Sequence, residues 1–300
     1  MYYLDKLKER ARFIVSFLKR EEYAAEMGLP DFVHALFKSA LFSGRRIKAV
    51  AGEPEGGCRS VTIGGRTVYW PEAADPESLV YTYREVFFDR HGHLFDTYGT
   101  ELMDGDVVLD CGACEGFFTL KALEKGAGRV YAFEPGRSLA RCLMKCFSDE
   151  ISDGRVEVVN KLLGMGNRKL LFREDMDSLA SSGVVDGLGD NGPGTYEVEM
   201  TSIDEFCKER NLESLDYIKA DVEGAEVELV TGARETIRRF GPRISLAVYH
   251  QPGNAREIVE FIRSVDPSYV FRYKGLACHD GVVRPMVLHC HKDKAAGRVM

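Results

Sequence analysis

The sequence predicts an α/β fold, with a doubly wound and mostly parallel sheet that has helices on both faces. From residue 107 to residue 273, apolar runs of strand length alternate with helical patterns, and repeated strand and helix units of this length form parallel sheets. A further apolar run, 284–290, follows 269–273 after a short connection that contains glycine. Two strands joined so closely must be antiparallel, so the sheet is expected to end with an antiparallel C-terminal strand.

Residues 1–50 are predicted to form a helical extension. Residues 2–27 carry an apolar seam at alternating steps of three and four on a charged background, which indicates an amphipathic helix. This seam consists of Leu4, Leu7, Ala11, Ile14 and Leu18. A second apolar helix is predicted over 31–42, too short to span a bilayer. Both helices are expected to cover the main domain or each other, and the seam is also compatible with a homodimer.

Residues 51–76 are predicted to be a linker followed by a β-hairpin. Residues 51–57 are rich in Gly, Pro and Glu, as a boundary would be, and 61–69 form two short apolar runs around a Gly-Gly pair, which is typical of a hairpin turn. The main domain is then expected over 77–293, beginning with a helix from about Pro76 to Asp89.

The elements of the main domain alternate in chain order. Strands are predicted at 107–111, 129–134, 156–163, 215–221, 243–249, 269–273 and 284–290. Helices are predicted at 116–125, 137–149, 224–238 and 254–265. Between the third and fourth strands lie a predicted hairpin, 169–173 with 196–200, and a polar segment at 175–194 that is expected to be a mobile loop near a ligand. A capping box at Thr201–Asp204 is expected to begin a helix through Cys207.

The junction at 107–119 is the strongest candidate for a ligand site. An apolar strand ends at Asp110, and Gly112 and Gly116 then form a turn into an apolar helix, with Glu115 between them. Glycine lets the backbone approach a ligand closely, and the new helix offers unpaired N–H groups. The third glycine of a pyrophosphate-binding fingerprint is missing, and two carboxylates would repel a pyrophosphate. They would suit S-adenosylmethionine, which carries an ammonium and a sulfonium, although a purely structural turn also fits the pattern.

A further carboxylate lies at the end of the next strand. The apolar run from Arg129 ends in Glu134, about 20 residues beyond the turn, where doubly wound folds place the group that binds ribose hydroxyls. Pro135 and Gly136 then break the chain. Glu134 is therefore predicted to bind the ribose of the cofactor, the alternative being a solvated strand end.

Composition limits the classes of partner and compartment. The net charge of −7 argues against nucleic acid, whose phosphates are met by clustered Lys and Arg. The charged N-terminus has no uninterrupted apolar core, so neither a signal peptide nor a membrane span is expected, and a cytoplasmic protein is predicted. Most of the eight cysteines fall on predicted core faces, so no metal site is predicted from them. The cluster of His279, His289, Cys290 and His291 leaves a metal open as an alternative.

Four stretches together resemble the FkbM family of S-adenosylmethionine-dependent methyltransferases. They are Asp110–Gly116, Tyr131–Pro135, Thr201–Phe206 and Ile218–Glu226, of which the last is the most specific. The resemblance covers residues 77–291. It implies a seven-stranded, Rossmann-like methyltransferase sheet, S-adenosylmethionine as cofactor and often a hydroxyl group of a sugar or natural product as acceptor. One departure is Cys114, where family members commonly carry Asn or a similar polar residue.

The resemblance and the strand-end positions together predict the cofactor site. Asp110 or its neighbours in the turn are expected to meet the ammonium group, Glu134 the ribose, and Leu162 with Leu163 one wall of the adenine slot. The full predicted set is Asp110, Gly112, Ala113, Glu115, Gly116, Glu134, Pro135, Leu162, Leu163 and Asp221. Asp221 ends the fourth strand, which points at the ligand crevice, and an alternative role is to cap the helix that follows.

His250 is the candidate general base. It follows the strand 243–249, beside the strand that ends at Asp221, and an imidazole titrates near neutral pH. Asp221 would orient His250 or the acceptor, and a structural histidine is the alternative. Glu223 and Glu226 fall in the first turn of the next predicted helix, where the helix dipole alone favours acidic residues.

The resulting hypothesis is a methyltransferase that O-methylates a small hydroxylated or sugar-containing acceptor. N-methylation of an amine is one alternative. A nucleotide-dependent dehydrogenase is disfavoured by the missing third glycine. A non-catalytic scaffold that keeps the cofactor fold is the alternative from another class, and fold alone does not decide among these.

Overall fold

The computed structural model describes residues 2–19, 29, 32–33, 36–37, 47–88, 93–176, 179, 182–185, 192–279 and 281–292. Its strands are β1 (Ala49–Glu55), β2 (Cys58–Ile63), β3 (Arg66–Pro71), β4 (Val107–Cys111), β5 (Arg129–Phe133), β6 (Val156–Val159), β7 (Leu162–Leu163), β8 (Arg168–Arg173), β9 (Gly183–Val184), β10 (Thr195–Thr201), β11 (Tyr217–Ala220), β12 (Arg243–Ala247), β13 (Tyr269–His279) and β14 (Val282–Lys292). Its helices are α1 (Tyr2–Leu18), α2 (Leu79–Phe87), α3 (Phe117–Glu124), α4 (Arg137–Cys146), α5 (Ser148–Ser152), α6 (Ile203–Glu209), α7 (Glu226–Thr231), α8 (Arg234–Phe240) and α9 (Asn254–Val265), with a 3₁₀ turn at Pro76–Ser78 before α2.

Seven strands form the central sheet, in the order β13-β14-β12-β11-β4-β5-β6. Neighbouring strands from β12 to β6 are parallel, and β14 runs antiparallel to both β12 and β13. The predicted fold class, with seven strands and an antiparallel C-terminal strand, is therefore confirmed.

Both faces of the central sheet are covered. Val108 and Leu109 are adjacent in β4, yet they belong to two different core clusters, on opposite faces, because successive side chains of a strand point in opposite directions. All four residues of β11 are buried. Strands buried on both faces need near-continuous apolar runs, which is why the sequence pattern identified them.

A smaller antiparallel sheet, β1-β2-β3, precedes the central sheet. The predicted hairpin is confirmed as β2 and β3. The prediction of a linker at 51–57 is wrong, because Ala49–Glu55 pairs with β2 as an additional strand. Val61 and Trp70 of this sheet share a core cluster with Phe117 of α3. The small sheet therefore packs on the main domain, and the predicted boundaries after residues 50 and 76 stay a prediction.

The strand predicted at 156–163 is interrupted. It leaves the central sheet after Val159, because Asn160 donates from Nδ2 to the two backbone carbonyls that follow β5, at 2.7 and 2.9 Å. Leu162–Leu163 then pairs with β10. The resulting second sheet has four strands in the order β7-β10-β8-β9.

The helix predicted at 224–238 is also divided, into α7 and α8. A Cβ atom on Gly232, between the two, would lie 2.3 Å from the backbone oxygen of Gly164, so this turn is pressed against another segment. Asp204 accepts hydrogen bonds from two backbone N–H groups at the start of α8, at 3.0 and 2.8 Å. The helix predicted at 137–149 is divided in the same way into α4 and α5.

The hairpin predicted before the fourth parallel strand is confirmed as β8 and β10. Ser202 caps α6, as expected, since its Oγ accepts a hydrogen bond from the backbone N–H of Glu205 at 3.2 Å. Part of the polar segment 175–194 pairs with β8 as β9. The rest of that segment lies largely outside the described residues, and its assignment as a mobile loop stays a prediction.

The N-terminal helix packs with a different face from the one predicted. Phe13 of α1 is buried in a cluster with Leu276 of β13 and Val283 of β14, whereas the side chains of Leu7 and Leu18 are 58% and 73% exposed. Residues 20–27 and most of the helix predicted at 31–42 lie outside the described residues. Among the residues that the structure describes, no helix combines the length and apolar character needed to cross a membrane.

Candidate active site

A cavity of about 1850 Å³ lies at the carboxyl ends of β4, β5 and β11. Its described wall contains most of the residues predicted to bind the cofactor. These are Gly112, Ala113, Glu115, Glu134, Pro135, Leu162, Leu163 and Asp221. Two others of that set, Asp110 and Gly116, lie behind the wall. The carboxyl edge of a parallel sheet is where open α/β folds bind their ligands.

Asp110 is fully buried beneath the first turn. One oxygen accepts a hydrogen bond from Thr119 Oγ1 at 2.7 Å, and the other lies 3.1 Å from Nζ of Lys219. Asp110 therefore does not face the cavity, where it was predicted to contact an ammonium group. The position of Asp110 was predicted well, but its carboxylate is used inside the protein.

Lys219 is a buried cation that links two strand ends. Its Nζ also donates to the backbone oxygen of Gly112 at 2.6 Å and lies 5.6 Å from the ring centroid of Phe95. Burial alone would lower the pKa of Lys219, but the charges of Asp110 and Asp221 outweigh this effect and raise it. No role was predicted for Lys219 from the sequence, although a lysine within a buried strand is itself a signal, since such a charge must be paired.

The two glycines of the first turn are required by packing. Gly112 has a φ of 78°, and a Cβ atom there would lie 2.0 Å from the backbone oxygen of Asp221. A Cβ atom on Gly116 would lie 2.8 Å from side-chain atoms of Leu143 and Phe147. Each glycine thus permits a close approach within the protein. Gly112 also lines the cavity, so the approach of a ligand to Gly112 stays a prediction.

Glu134 is held rigidly at the end of β5. Its Oε1 accepts a hydrogen bond from the N–H of Gly136 at 2.7 Å, and its Oε2 accepts one from the N–H of Cys114 at 3.0 Å. Burial raises the pKa of Glu134 to about 7, against the opposing effect of these two backbone donors. Burial also raises the pKa of Glu115 to about 7. Two carboxylates on the cavity wall are thus costly to ionise without a cationic or hydrogen-bonding ligand.

A second cluster of ionisable groups surrounds His250, after β11 and β12. His250 Nε2 lies 3.6 Å from Oδ1 of Asp221 and 3.4 Å from Oε2 of Glu223. Both carboxylates line the cavity, with His250 directly behind them. The predicted catalytic pair, His250 and Asp221, is therefore brought together at the cavity wall.

Glu226 anchors this cluster from inside the protein. It is fully buried and accepts hydrogen bonds from His250 Nδ1 at 2.9 Å and from Asn254 Nδ2 at 2.9 Å. The helix-dipole interpretation of Glu226 was therefore incomplete. The alternative that Asp221 caps a helix is not seen, because α7 begins at Glu226 with Ala225 as its N-cap. Only the three-dimensional approach of β12 and α9 shows what Glu226 does.

Charges around His250 determine its protonation. Burial alone would lower the pKa of His250. The hydrogen bond to Glu226 and the charges of Asp221, Glu226 and Glu223 outweigh burial and raise the pKa to about 9. This imidazole therefore lies in a strongly anionic environment, one that favours a proton or another cation at its free nitrogen.

The histidines near the C-terminus, for which a metal site was an alternative, include a core residue. His289 is fully buried in β14, and its Nδ1 pairs with Thr100 Oγ1 at 2.7 Å. Burial lowers the pKa of His289 to about 3, as expected for a neutral core histidine. The side chain of His279 is not among those described, and the metal alternative for this cluster stays untested.

The fold and the cavity define a class of protein: α/β proteins that bind a ligand at the carboxyl ends of parallel strands. The family model for the methyltransferase FkbM domain matches residues 110–273, more than half of the chain. The chain belongs to the FkbM methyltransferase family.

Two relatives and one solved structure show the range of similarity. The 31-O-demethyl-FK506 methyltransferase FkbM of Streptomyces tacrolimicus is 28% identical over 225 residues, which cover 66% of this chain and 84% of the relative. The 2-O-methyltransferase NoeI of Sinorhizobium fredii is 30% identical over 150 residues, which cover 44% of this chain and 59% of the relative. The crystal structure of methyltransferase FkbM from Methylobacillus flagellatus is 22% identical, with a TM-score of 0.48, and the match covers 70% of this chain and 48% of that one.

Proposed function

We propose that this protein is an S-adenosylmethionine-dependent O-methyltransferase that acts on a hydroxyl group of a small or sugar-containing acceptor. The observation that carries the proposal is the cavity at the strand ends, whose wall contains the buried carboxylates Glu115 and Glu134. Membership of the family supports methyl transfer. Transfer to oxygen is supported by NoeI, which is named a 2-O-methyltransferase, and by the Streptomyces relative, which is named for 31-O-demethyl-FK506.

The residues of the cavity fit this cofactor. Each oxygen of Glu134 accepts one backbone hydrogen bond and keeps a lone pair for a ribose hydroxyl. Glu115 offers a buried carboxylate to the ammonium group, and Leu162 with Leu163 and Pro135 offers apolar surface to the adenine. Gly112, Ala113 and Gly116 would shape the turn, and Asp110 would contribute by holding that turn through Lys219.

When bound, the cofactor supplies an activated methyl group. The chain must then hold the oxygen of the acceptor in line with that group and receive its proton. We assign this task to Asp221 and His250, because Asp221 lines the same cavity and its Oδ1 lies 3.6 Å from His250 Nε2. Because the pKa of His250 is raised to about 9, the imidazole takes up the proton of the acceptor only after it has lost its own. While His250 is charged, Oδ1 of Asp221 would receive that proton.

Cofactor binding is tested first, by isothermal titration calorimetry with S-adenosylmethionine, S-adenosylhomocysteine and NAD. We expect both sulfur ligands to bind, and Glu134→Ala to weaken them by about 1–3 kcal/mol, roughly 5- to 150-fold in Kd. Glu157→Ala is the matched control, since Glu157 lies on the neighbouring strand β6 and pairs with Arg210 at 2.6 Å. Binding of NAD with no response to either sulfur ligand would contradict the proposal.

The transfer itself is tested with S-adenosylmethionine that carries a labelled methyl group. A panel of saccharides and polyhydroxylated small molecules is compared with the corresponding amines. Label in a hydroxylated acceptor, and none in its amine, is the expected result. Label in the amine alone would establish N-methylation instead, and cofactor binding without transfer to any acceptor would favour a non-catalytic scaffold.

We also propose a cytoplasmic homodimer. The eight cysteines are free thiols in the structure, which is in keeping with a reducing compartment. The exposed side chains of Leu7 and Leu18 on α1 offer an apolar seam to a second copy. The net charge of −7 supports the absence of nucleic acid among the partners.

A further inference from the structure

Three side-chain atoms beside the cavity converge without bonding to one another. They are His250 Nε2, Asp221 Oδ1 and a carboxylate oxygen of Glu223, and all lie within 4.8 Å of one another. The distances of 3.6 and 3.4 Å from Nε2 to the two carboxylates exceed those of N–H···O hydrogen bonds, about 2.7–3.2 Å. Nε2 and Asp221 Oδ1 are both buried and have no hydrogen-bond partner.

The orientation of His250 is decided by its other nitrogen. Glu226 is fully buried and also accepts hydrogen bonds from the backbone N–H groups of Val222 and Gly224, at 3.3 and 3.2 Å. It is therefore an acceptor, so Nδ1 of His250 carries the proton and donates to it at 2.9 Å. In the neutral imidazole, Nε2 then presents a lone pair to two carboxylates.

Three electron-pair donors facing one another repel unless a cation lies between them. The His250 side chain is only 9% exposed, and its Nε2 is shielded from water, so desolvation makes an unpaired lone pair at this nitrogen costly. A buried carboxylate behind a histidine, with the far nitrogen directed at further ligands, is the arrangement that fixes metal-binding histidines in proteins. Glu223 is turned towards the group by a left-handed backbone, with a φ of 52°.

We propose that His250, Asp221 and Glu223 bind a divalent metal ion at the wall of the cavity. Two ligands at about 2.1 Å from one ion lie about 3.0–3.4 Å apart, close to the two distances found. One imidazole and two carboxylates suit Mn²⁺ and similar transition ions better than Ca²⁺ or Mg²⁺, because imidazole is a poor ligand for the latter. Three protein ligands leave coordination positions open.

The ion would act on the acceptor. Asp221 and Glu223 line the cavity, so an ion held by them lies where a hydroxyl oxygen of the acceptor can bind it, which orients that oxygen and makes its proton more acidic. This part of the inference rests on the proposed function, whereas metal binding by itself does not. With His250 and Asp221 holding the ion, neither is a free base, and the proton of the ion-bound hydroxyl would leave to water.

Binding of Mn²⁺ alone tests the inference, on the full chain after treatment with a chelator and without cofactor or acceptor. Electron paramagnetic resonance of free Mn²⁺, supported by calorimetry, should show one ion bound per chain. Asp221→Asn and His250→Ala should each weaken binding at least tenfold. Glu228→Gln is the matched control, because Glu228 also lines the cavity but is not one of the three ligands, and it should bind as the wild type does.

Several outcomes would overturn the inference. If the wild type does not bind Mn²⁺, or if the ligand variants bind it unchanged, His250 is held by a proton between the carboxylates instead. Should His250→Ala fail to fold, Glu223→Gln replaces it, since the Glu223 side chain is 49% exposed and its loss leaves the core intact. Methyl transfer that persists in excess chelator would reject the role of the ion in the reaction but keep the proposed function. Binding of Mn²⁺ without any transfer would keep the metal site but reject the proposed function.

Discussion

Glu115 and Glu134 are single residues of the cavity wall that lower the stability of the ligand-free protein. Both carboxylates are buried, and burial raises the pKa of each to about 7. Neither has a salt-bridge partner among the ion pairs of the described residues. A buried carboxylate without a salt-bridge partner lowers stability and is retained where function needs it. Removing such a group should therefore affect stability and ligand binding in opposite directions.

Glu134 should make the stability of the ligand-free protein depend on pH. Its pKa is raised from 4.5 to about 7 in the folded protein, so between those values the folded state holds the proton more tightly than the unfolded state. The free energy of unfolding therefore falls as the pH rises through this window, by up to about 3 kcal/mol from this group. Urea unfolding at about pH 4.5 and pH 8 should show a smaller loss in Glu134→Gln than in the wild type.

The comparison isolates Glu134, because Glu115 contributes a loss of the same sign to both proteins. Equal pH dependence in the wild type and in Glu134→Gln would mean that this carboxylate is not strained in the absence of a ligand. Saturating S-adenosylmethionine should then be added, and the wild type should gain more stability than the variant if the cofactor bonds to Glu134.

At the residue scale, the sequence allowed the positions of acidic groups to be predicted, but not their partners. Asp110, Glu134 and Asp221 were placed correctly at strand ends, because an apolar run shows where a strand stops. That Asp110 faces Lys219 and that Glu226 faces His250 depends on which strands become neighbours and how they are staggered. Nothing local in the sequence carries this information.

For helices and strands too, positions along the chain could be predicted from the sequence, but contacts with distant segments could not. Most ends of the strands in the central sheet were predicted to within about two residues, because strands buried on both faces need continuous apolar residues. The break after Val159 and the division of the helix at Gly232 could not be predicted, since both depend on contacts with distant segments. Strand β1 was missed because its residues are mostly exposed and include Pro and Gly, the composition of a loop.

The contact between the turns after β4 and β11 leads to a prediction about elements. Gly112→Ala places a Cβ atom against the backbone oxygen of Asp221, which cannot rotate away, and it also imposes a left-handed φ on alanine. Gly65→Ala is a matched control, because Gly65 has a φ of 82° with no atom within 4 Å of an added Cβ. The control should lose about 1–2 kcal/mol of unfolding free energy, and Gly112→Ala clearly more.

Chemical denaturation of the two variants measures the difference. If Gly112→Ala and Gly65→Ala are destabilised equally, the approach of the two turns is loose, and the small residue at 112 has to be explained by the approach of the cofactor, as predicted from the sequence.

The cavity as a whole exceeds what a cofactor alone needs. Its volume of about 1850 Å³ is larger than the roughly 300–1000 Å³ of most small-molecule sites. Residues from three parts of the chain contribute to its wall, including Phe13 of α1, Trp70 of β3 and Tyr249 after β12. The N-terminal region therefore helps to enclose the space in which an acceptor would bind.

The proposed homodimer is a prediction for the whole molecule. Light scattering after size exclusion should give the mass of two chains for the wild type. Leu18→Glu should give one chain, because a charge in an apolar seam is costly to bury. Val50→Glu is the control, since Val50 is 65% exposed on β1 and is not part of the seam on α1, and this variant should stay dimeric. A monomeric wild type, or dissociation by both variants alike, would remove the seam from the interface.

Lys219 and Gly112 connect the turn after β4 with the turn after β11. The lysine holds the turn after β4 through the backbone oxygen of Gly112, and a Cβ atom on that same glycine would meet the backbone oxygen of Asp221. A ligand that displaces one of these turns would therefore press on the other. If the proposed cofactor and the proposed ion do so, each would change the affinity of the other by the same factor, as reciprocity requires.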